Sequence, residues 1–267
     1  MNKEQVNEII LKSIKIPISD DVIIYKAGSI MEGFGNKSSD IDVYIICKLK
    51  DINNEISHSE ESVISKDDTY INNFFIENIR YDIEYWDIDK VRNTIEKLNN
   101  FNFKNDIYSD RLSKDEIDFI HRIKFGVPVI NTVAFNKFKS NFNFNNLSKI
   151  QVLEHTEQFE GYLEDIEGAL ISKDLGTVYT LTKLILEEVT SSYLSSVGET
   201  NPSRKWLYRK MLRYEEKYQD SLLLENYLKF HGYKFNENSI DTYTTELLEY
   251  IQKLNIHIQN NYKKEVI

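Results

Sequence analysis

The sequence that decides the fold reads Ala27-Gly28-Ser29 and, after ten further residues, Asp40-Ile41-Asp42-Val43. The β-branched run Val22–Ala27 leads into the first part, and the second part continues as the apolar run Ile41–Cys47. Compact apolar runs of this kind predict strands, and the Gly-Ser pair marks the place where a strand turns into a helix. We therefore expect a first strand that leads into the Gly-Ser turn and a second strand that carries Asp40 and Asp42.

The residues at this turn have the chemistry that phosphate and metal binding require. Gly28 has no side chain, so a phosphate can come close to its backbone, and Ser29 adds a hydroxyl and the free N–H groups of a helix start. Asp40 and Asp42 are two residues apart on a strand, so their carboxylates face the same side and can share divalent cations. The pattern predicts half of a metal-dependent phosphate site.

A third carboxylate is expected from a neighbouring strand. The segment Arg80–Trp86 alternates in the manner of a strand, and the period of two puts Asp82 and Glu84 on one face. Either acid could complete the cluster. Clustered acids repel one another, and two Mg²⁺ ions about 3.5–4 Å apart would neutralise them while binding both the attacking and the leaving oxygen of a phosphoryl transfer.

These motifs resemble the nucleotidyltransferase superfamily, which includes DNA polymerase beta, the aminoglycoside nucleotidyltransferases and the minimal nucleotidyltransferases of toxin–antitoxin pairs. The family pattern is an apolar residue, Gly-Gly or Gly-Ser, a spacer, and Asp-apolar-Asp/Glu-apolar, followed by one acid on a later strand. Ala27-Gly28-Ser29 and Asp40–Val43 match it over the first third of the chain. The resemblance implies that Gly28 and Ser29 bind the nucleotide and that Asp40 and Asp42 are catalytic Mg²⁺ ligands.

For the third acid the resemblance favours Glu84, because Glu84–Asp89 is similar to the strand-then-helix sequence that follows this acid in minimal members. Asp82 stays open as the alternative ligand. The reaction that the resemblance implies is the attack of a substrate hydroxyl on the α-phosphorus of a nucleoside triphosphate, with pyrophosphate as the leaving group.

The chain as a whole predicts an α+β protein. Residues 1–105 combine strands with helices at Val6–Leu11 and Asp87–Leu98, as a nucleotidyltransferase-type mixed sheet would, and residues 106–267 form a helical bundle. The biased stretch Asn141–Asn146 is an alternative place for the boundary. Five helices are predicted in the second part: Lys114–Lys124, Gln151–Ile171, Thr177–Val197, Ser203–Tyr218 and Thr242–Gln259.

The helical part contains candidates for nucleotide contacts. Lys205 and Arg209 are four residues apart on a predicted helix, so they share a face that could bind triphosphate. The alternative is an ordinary solvated face whose basic residues pair with neighbouring glutamates. A helical-domain glutamate is the general base in some aminoglycoside nucleotidyltransferases, and the resemblance points weakly to Glu187 or Glu188.

Composition limits the partners. With 33 Lys+Arg against 43 Asp+Glu, the net charge of −10 opposes non-specific binding to nucleic acid. Cys47 is the only cysteine, the N-terminus lacks the apolar segment of a signal peptide, and no apolar run approaches the roughly 20 residues of a membrane span. We expect a cytoplasmic protein without membrane contact, and a homodimer is compatible with the sequence.

Three functions fit these observations. The first is an Mg²⁺-dependent nucleotidyltransferase that modifies a hydroxyl of a small molecule, with an aminoglycoside-like sugar as one candidate acceptor. The second keeps the chemistry but uses a nucleotide, a tRNA end or a protein side chain as the acceptor. The third is a nucleotide-binding regulatory protein without turnover.

Overall fold

The computed structural model describes residues 3–14, 16–19, 21–49, 62–66, 69–104, 111–201 and 203–264. The chain divides into two compact units, Met1–Phe144 and Asn145–Ile267. This division lies beyond the predicted boundary at 105/106 and within the alternative stretch Asn141–Asn146. The reason is that two helices and a short strand that follow residue 111 pack on the sheet of the first unit.

The first unit is built on a six-stranded mixed sheet with the order β3-β4-β5-β2-β1-β6. Only β2 and β5 pair in parallel among the described strands, and the other neighbours are antiparallel. The strands are β1 (Ile23–Ala27), β2 (Ile41–Cys47), β3 (Ser62–Lys66), β4 (Thr69–Ile76), β5 (Ile79–Asp87) and β6 (Val127–Pro128).

Most of the sheet follows the sequence prediction. The runs Val22–Ala27, Ile41–Cys47 and Arg80–Trp86 correspond to β1, β2 and β5, and the strand that the apolar run Phe74–Glu77 predicts corresponds to the end of β4, whereas β3 and β6 were not expected. The polar segment 51–68 was predicted to be a loop with a surface helix. Its end forms β3, and residues 51–61 lie outside the described residues.

Local capping signals define the helices of the first unit. Asp87 accepts a hydrogen bond from the backbone N–H of Asp89 and begins one helix, and Ser113 forms a capping box with Glu116 at the start of the next. The helices are α1 (Lys3–Ser13), α2 (Gly28–Met31), α3 (Ile88–Asn99), α4 (Lys114–Lys124) and α5 (Thr132–Lys139). Of these, α5 had no counterpart in the prediction.

The two faces of the sheet have different cores. One face packs aliphatic residues such as Val43, Ile45 and Ile83 with Ile10 of α1. The opposite face is aromatic. Its ring centroids lie 5.2 Å apart for Tyr25 and Tyr44, 5.3 Å for Tyr25 and Phe135, and 4.1 Å for Trp86 and Phe119. Since Phe119 belongs to α4, this helix is held against the sheet beside the ends of β2 and β5.

The second unit is helical, so the predicted α+β organisation is confirmed. Its helices are α6 (Phe144–Ile171), α7 (Leu175–Ser196), α8 (Leu207–Tyr218), α9 (Leu222–His231) and α10 (Ile240–Lys264), with a 3₁₀ turn at Arg204–Trp206. Their apolar side chains, including Ile185, Met211 and Leu247, form one core. The helix α9 was not predicted. Within the described ranges, no helix has the length and apolar character that crossing a membrane requires.

Replacing Phe119 with alanine tests the aromatic face. Phe119 is 1% exposed and stacks on Trp86, so Phe119→Ala should lower the free energy of unfolding of the first unit by about 3–5 kcal/mol. Trp86 and Trp206 are the two tryptophans of the chain and lie in different units. Urea unfolding followed by tryptophan fluorescence in a Trp206→Phe background therefore reports on the first unit alone.

Phe75→Ala is the matched control. Phe75 is 70% exposed on β4, and its truncation should change the free energy of unfolding by less than about 0.5 kcal/mol. Equal destabilisation by the two substitutions would contradict the packing described for α4.

Candidate active site

The pairing of β2 with β5 brings three aspartates together. Asp42 and Asp82 are direct neighbours in the parallel register, and Asp40 immediately precedes β2. One carboxylate oxygen from each of Asp40, Asp42 and Asp82 lies within 4.8 Å of the other two, and all three side chains are partly buried. We call these three residues the acidic cluster. Carboxylate oxygens at this spacing could hold a divalent metal ion.

Glu84 occupies a different environment from the acidic cluster. It is the parallel neighbour of Tyr44, two residues further along the same face of β5. Its carboxylate accepts hydrogen bonds from the Tyr44 hydroxyl at 3.2 Å and from Nε1 of Trp86 at 3.1 Å. Burial raises the pKa of Glu84, partly offset by these bonds. Of the two predicted candidates for the third acid, Asp82 is the one beside Asp40 and Asp42.

Gly28 lies directly against the acidic cluster. It follows Ala27, which pairs with Asp42 across the two strands, and its φ of +78° is in the left-handed region that favours glycine. A Cβ on Gly28 would lie 1.7 Å from Oδ2 of Asp42. No side chain fits there, so the sequence requirement for glycine comes from both the backbone conformation and the neighbouring carboxylate.

Ser29 begins a very short helix. The predicted helix after the Gly-Ser pair is α2, which has a single turn. The Ser29 hydroxyl is partly buried and lies 3.5 Å from the Ser39 hydroxyl, and the Ser29 carbonyl accepts a hydrogen bond from the N–H of Phe34 at 2.8 Å. The segment between the strands therefore folds back on Ser29 and brings Ser39 beside its hydroxyl.

Arg122 of α4 is a site residue that sequence reasoning missed. Its Nη1 donates to Oδ2 of Asp42 at 3.4 Å, and its Nε donates to both carboxylate oxygens of Asp118, at 3.3 and 3.2 Å. The helix that carries it was predicted with the same bounds as α4. Asp42 is 80 residues away in sequence, however, and no local pattern connects it with Arg122.

The residue next to Arg122 links the same helix to the Gly-Ser segment. Nε2 of His121 lies 2.9 Å from Oε1 of Glu32, and these side chains are 2% and 6% exposed. Glu32 directly follows α2. Consecutive residues of α4 thus contact both the segment that contains Ser29 and the acidic cluster.

The acidic cluster carries an unfavourable concentration of negative charge. Burial is the main reason why the pKa of Asp42 is raised to about 7, and Asp40, Asp82 and Glu84 raise it further, while Arg122 lowers it. Burial also raises the pKa of Asp82, and the hydrogen bond from Arg80 at 2.7 Å opposes this. A divalent cation would relieve the same repulsion that favours protonation of Asp42.

The remaining predicted residues belong to the second unit. Lys205 is exposed in the 3₁₀ turn and Arg209 is exposed on α8, so the two are not on one continuous α-helix. Their role in binding triphosphate stays a prediction. Glu188 is buried, accepts from His155 at 2.7 Å and pairs with Arg204, and Glu187 pairs with Arg204 at 3.4 Å.

Comparison with known proteins gives a distant structural likeness. No family model matches the sequence, and no curated protein matches it. Among solved structures, the chain is similar to a crystal structure of a nucleotidyltransferase-like protein from Exiguobacterium sibiricum 255-15, at 11% identity and a TM-score of 0.48, over 98% of this chain and 78% of that chain. A likeness this distant supports no conclusion about function. Any such conclusion has to come from the residues of the site.

Replacing Asp42 with asparagine should stabilise the protein in a pH-dependent way. The pKa of Asp42 is about 7 in the folded protein, against about 3.9 for an unfolded chain, so the folded state keeps a proton that the unfolded state loses. Stability attributable to Asp42 therefore falls as pH rises between these values. In the presence of a chelator, Asp42→Asn should raise the free energy of unfolding by up to about 4 kcal/mol at about pH 8, and by almost nothing near about pH 4.

Thermal unfolding over this pH range measures the effect. Asp89→Asn, which alters a 78% exposed aspartate of α3, is the control and should change stability by less than about 0.5 kcal/mol at every pH. A gain from Asp42→Asn that is the same at low and high pH would contradict the raised pKa.

Proposed function

We propose that this protein is an Mg²⁺-dependent nucleotidyltransferase. It transfers a nucleoside monophosphate from a nucleoside triphosphate to a hydroxyl of a small molecule, such as an aminoglycoside-like sugar, and releases pyrophosphate. The observation that carries this proposal is the acidic cluster, whose three carboxylates come together directly beside Gly28 of the Gly-Ser segment.

The donor set of the acidic cluster fits Mg²⁺. The three oxygens come from carboxylates, which this cation prefers. Their mutual distances of up to 4.8 Å allow all three to coordinate one ion. Asp40, Asp42 and Asp82 would hold the metal, and the raised pKa of Asp42 indicates a site whose charge needs a counterion. Bound there, Mg²⁺ would act as a Lewis acid on phosphoryl oxygens and offset the charge that develops in phosphoryl transfer.

The protein residues would orient the triphosphate. Gly28 would keep the Gly-Ser segment against the acidic cluster, and the Ser29 hydroxyl would donate to a phosphate oxygen. Both are held in place by the return of the chain to Ser29 and by the contact of Glu32 with His121. Positioning of this kind supplies a large part of the rate enhancement in phosphoryl transfer, because the chemistry itself needs little covalent participation.

Glu84 would support the site and not ligate the metal. Its carboxylate is already engaged by the Tyr44 hydroxyl and the Trp86 indole, which lie further along β2 and β5 on the same face as the cluster. We therefore assign the third metal-binding position to Asp82, and Glu84 would hold the Tyr44 and Trp86 side chains in place beside the cluster. We also propose that Lys205 and Arg209 contact the triphosphate. The proposed location of the protein is the cytoplasm.

Conversion of Asp40 or Asp42 to asparagine should abolish transfer. Each change removes a ligand charge while keeping the size of the side chain, so activity should fall by more than about 100-fold, or about 2.7 kcal/mol in the activation barrier. The measurement uses a triphosphate that is radiolabelled in the α-phosphate, a panel of hydroxyl acceptors, and detection of labelled product and of pyrophosphate. Asp89→Asn is the matched control, and full turnover by an Asp40/Asp42 double variant would refute the proposal.

A second comparison separates the two candidate third acids. Asp82→Asn should weaken Mn²⁺ binding by at least about 10-fold, because it removes one of the charged oxygens of the cluster. Glu84→Gln should leave Mn²⁺ affinity within about 3-fold, since Glu84 is not among the clustered ligand atoms. Calorimetric titration with Mn²⁺ measures both, and the reverse order of effects would restore Glu84 as the ligand.

A further inference from the structure

The guanidinium of Arg122 lies beside both Gly28 and Asp42 of the acidic cluster. Its Nη1 is 3.4 Å from Oδ2 of Asp42, and a Cβ on Gly28 would lie 2.9 Å from the same nitrogen. The side chain is 24% exposed, so it is neither fully buried nor free in solvent. Arg122 therefore stands where a phosphate near Gly28 and a metal on Asp42 would both be within its reach.

Arg122 holds its two acidic partners unequally. Nε contacts both oxygens of Asp118, at 3.3 and 3.2 Å, and Asp118 is one turn earlier on the same helix. Asp42 receives a single contact, at 3.4 Å, and all three contacts are longer than the roughly 2.7–2.9 Å of a strong charge-assisted bond, so the partners differ in the number of contacts. The contact with Asp118 anchors the side chain, and the contact with Asp42 is the one that can be exchanged.

We propose that Arg122 is a phosphate-binding residue that also serves as the counterion of Asp42 when no metal is bound. The inference rests on the proposed function, because it assigns Arg122 to the triphosphate of that reaction. When a divalent cation neutralises Asp42, the guanidinium exchanges this carboxylate for oxygens of the terminal phosphates and keeps its anchor on Asp118. The planar donors of arginine suit phosphate in the same way as they suit a carboxylate.

This dual role gives Arg122→Gln two effects of opposite sign. Without the guanidinium the acidic cluster loses a competing positive charge, so Mn²⁺ alone should bind about 3- to 10-fold more tightly. Inorganic tripolyphosphate in the presence of excess Mg²⁺ should bind at least about 10-fold more weakly, because a charged phosphate contact is lost. An arginine that only stabilised the fold would weaken both interactions.

Calorimetric titrations with Mn²⁺ alone and with Mg²⁺-tripolyphosphate test this, at an alkaline pH where the carboxylates are ionised. Arg92→Gln, at a 67% exposed arginine of α3, is the control and should change neither affinity. Arg122→Lys provides a second variant if Arg122→Gln fails to fold. It keeps the charge but loses the forked geometry, so it should leave Mn²⁺ binding unchanged and weaken tripolyphosphate binding.

The outcomes distinguish this inference from the proposed function. Opposite shifts in Arg122→Gln support the inference even if the wild-type protein transfers no nucleotide, in which case the proposed reaction alone fails. Unchanged tripolyphosphate affinity, unchanged Mn²⁺ affinity, or a loss of both affinities in the folded variant overturns the inference. Absence of tripolyphosphate binding by the wild-type protein overturns it as well.

Discussion

The parallel pairing of β2 with β5 is the constraint on which the candidate site depends. Its register puts Asp42 beside Asp82 and Tyr44 beside Glu84, so acids alternate with buried apolar residues on both strands. Because side chains alternate between the faces of a strand, a shift of one residue would turn Asp82 away from Asp42 and bring Ile83 into its place. The aliphatic core on the opposite face opposes such a shift, since it would then have to bury carboxylates.

The acidic cluster lowers the free energy of unfolding, and aromatic packing on the same face of the sheet offsets this loss. Packing of Trp86 against Phe119 and of Tyr25 against Tyr44 buries large apolar surfaces, and each aromatic pair adds about 0.5–1.5 kcal/mol beyond its buried area. The raised pKa of Asp42 shows that holding its charged form in this buried site is unfavourable. Sites that bind strongly charged ligands commonly carry such a cost, because the ligand supplies the missing counter-charge.

The sequence predicted the parts of the site that depend on local patterns. β1, β2 and β5 were recognisable from apolar runs and alternation, and Gly28, Asp40 and Asp42 from their spacing. For the third acid the resemblance favoured Glu84, whereas the structure puts Asp82 beside Asp42. Both acids face the same side of β5, so only the register with β2 distinguishes them. The role of Arg122 could not be predicted from local sequence patterns. The helix α4 has an ordinary amphipathic pattern, and the contact with Asp42 depends on how this helix packs on the sheet.

The helix α4 unites the parts of the site that lie far apart in sequence. Its start is fixed by the capping box at Ser113, and Glu116 also accepts hydrogen bonds from Thr94 and Lys97 of α3. Near its end, His121 contacts Glu32, which directly follows α2, and Arg122 contacts Asp42 of the acidic cluster. A buried contact such as His121–Glu32 is costly to break, because separation would leave polar groups without partners in the interior. The phosphate segment and the acidic cluster are therefore both held by one rigid element, which is the preorganisation that phosphoryl transfer requires.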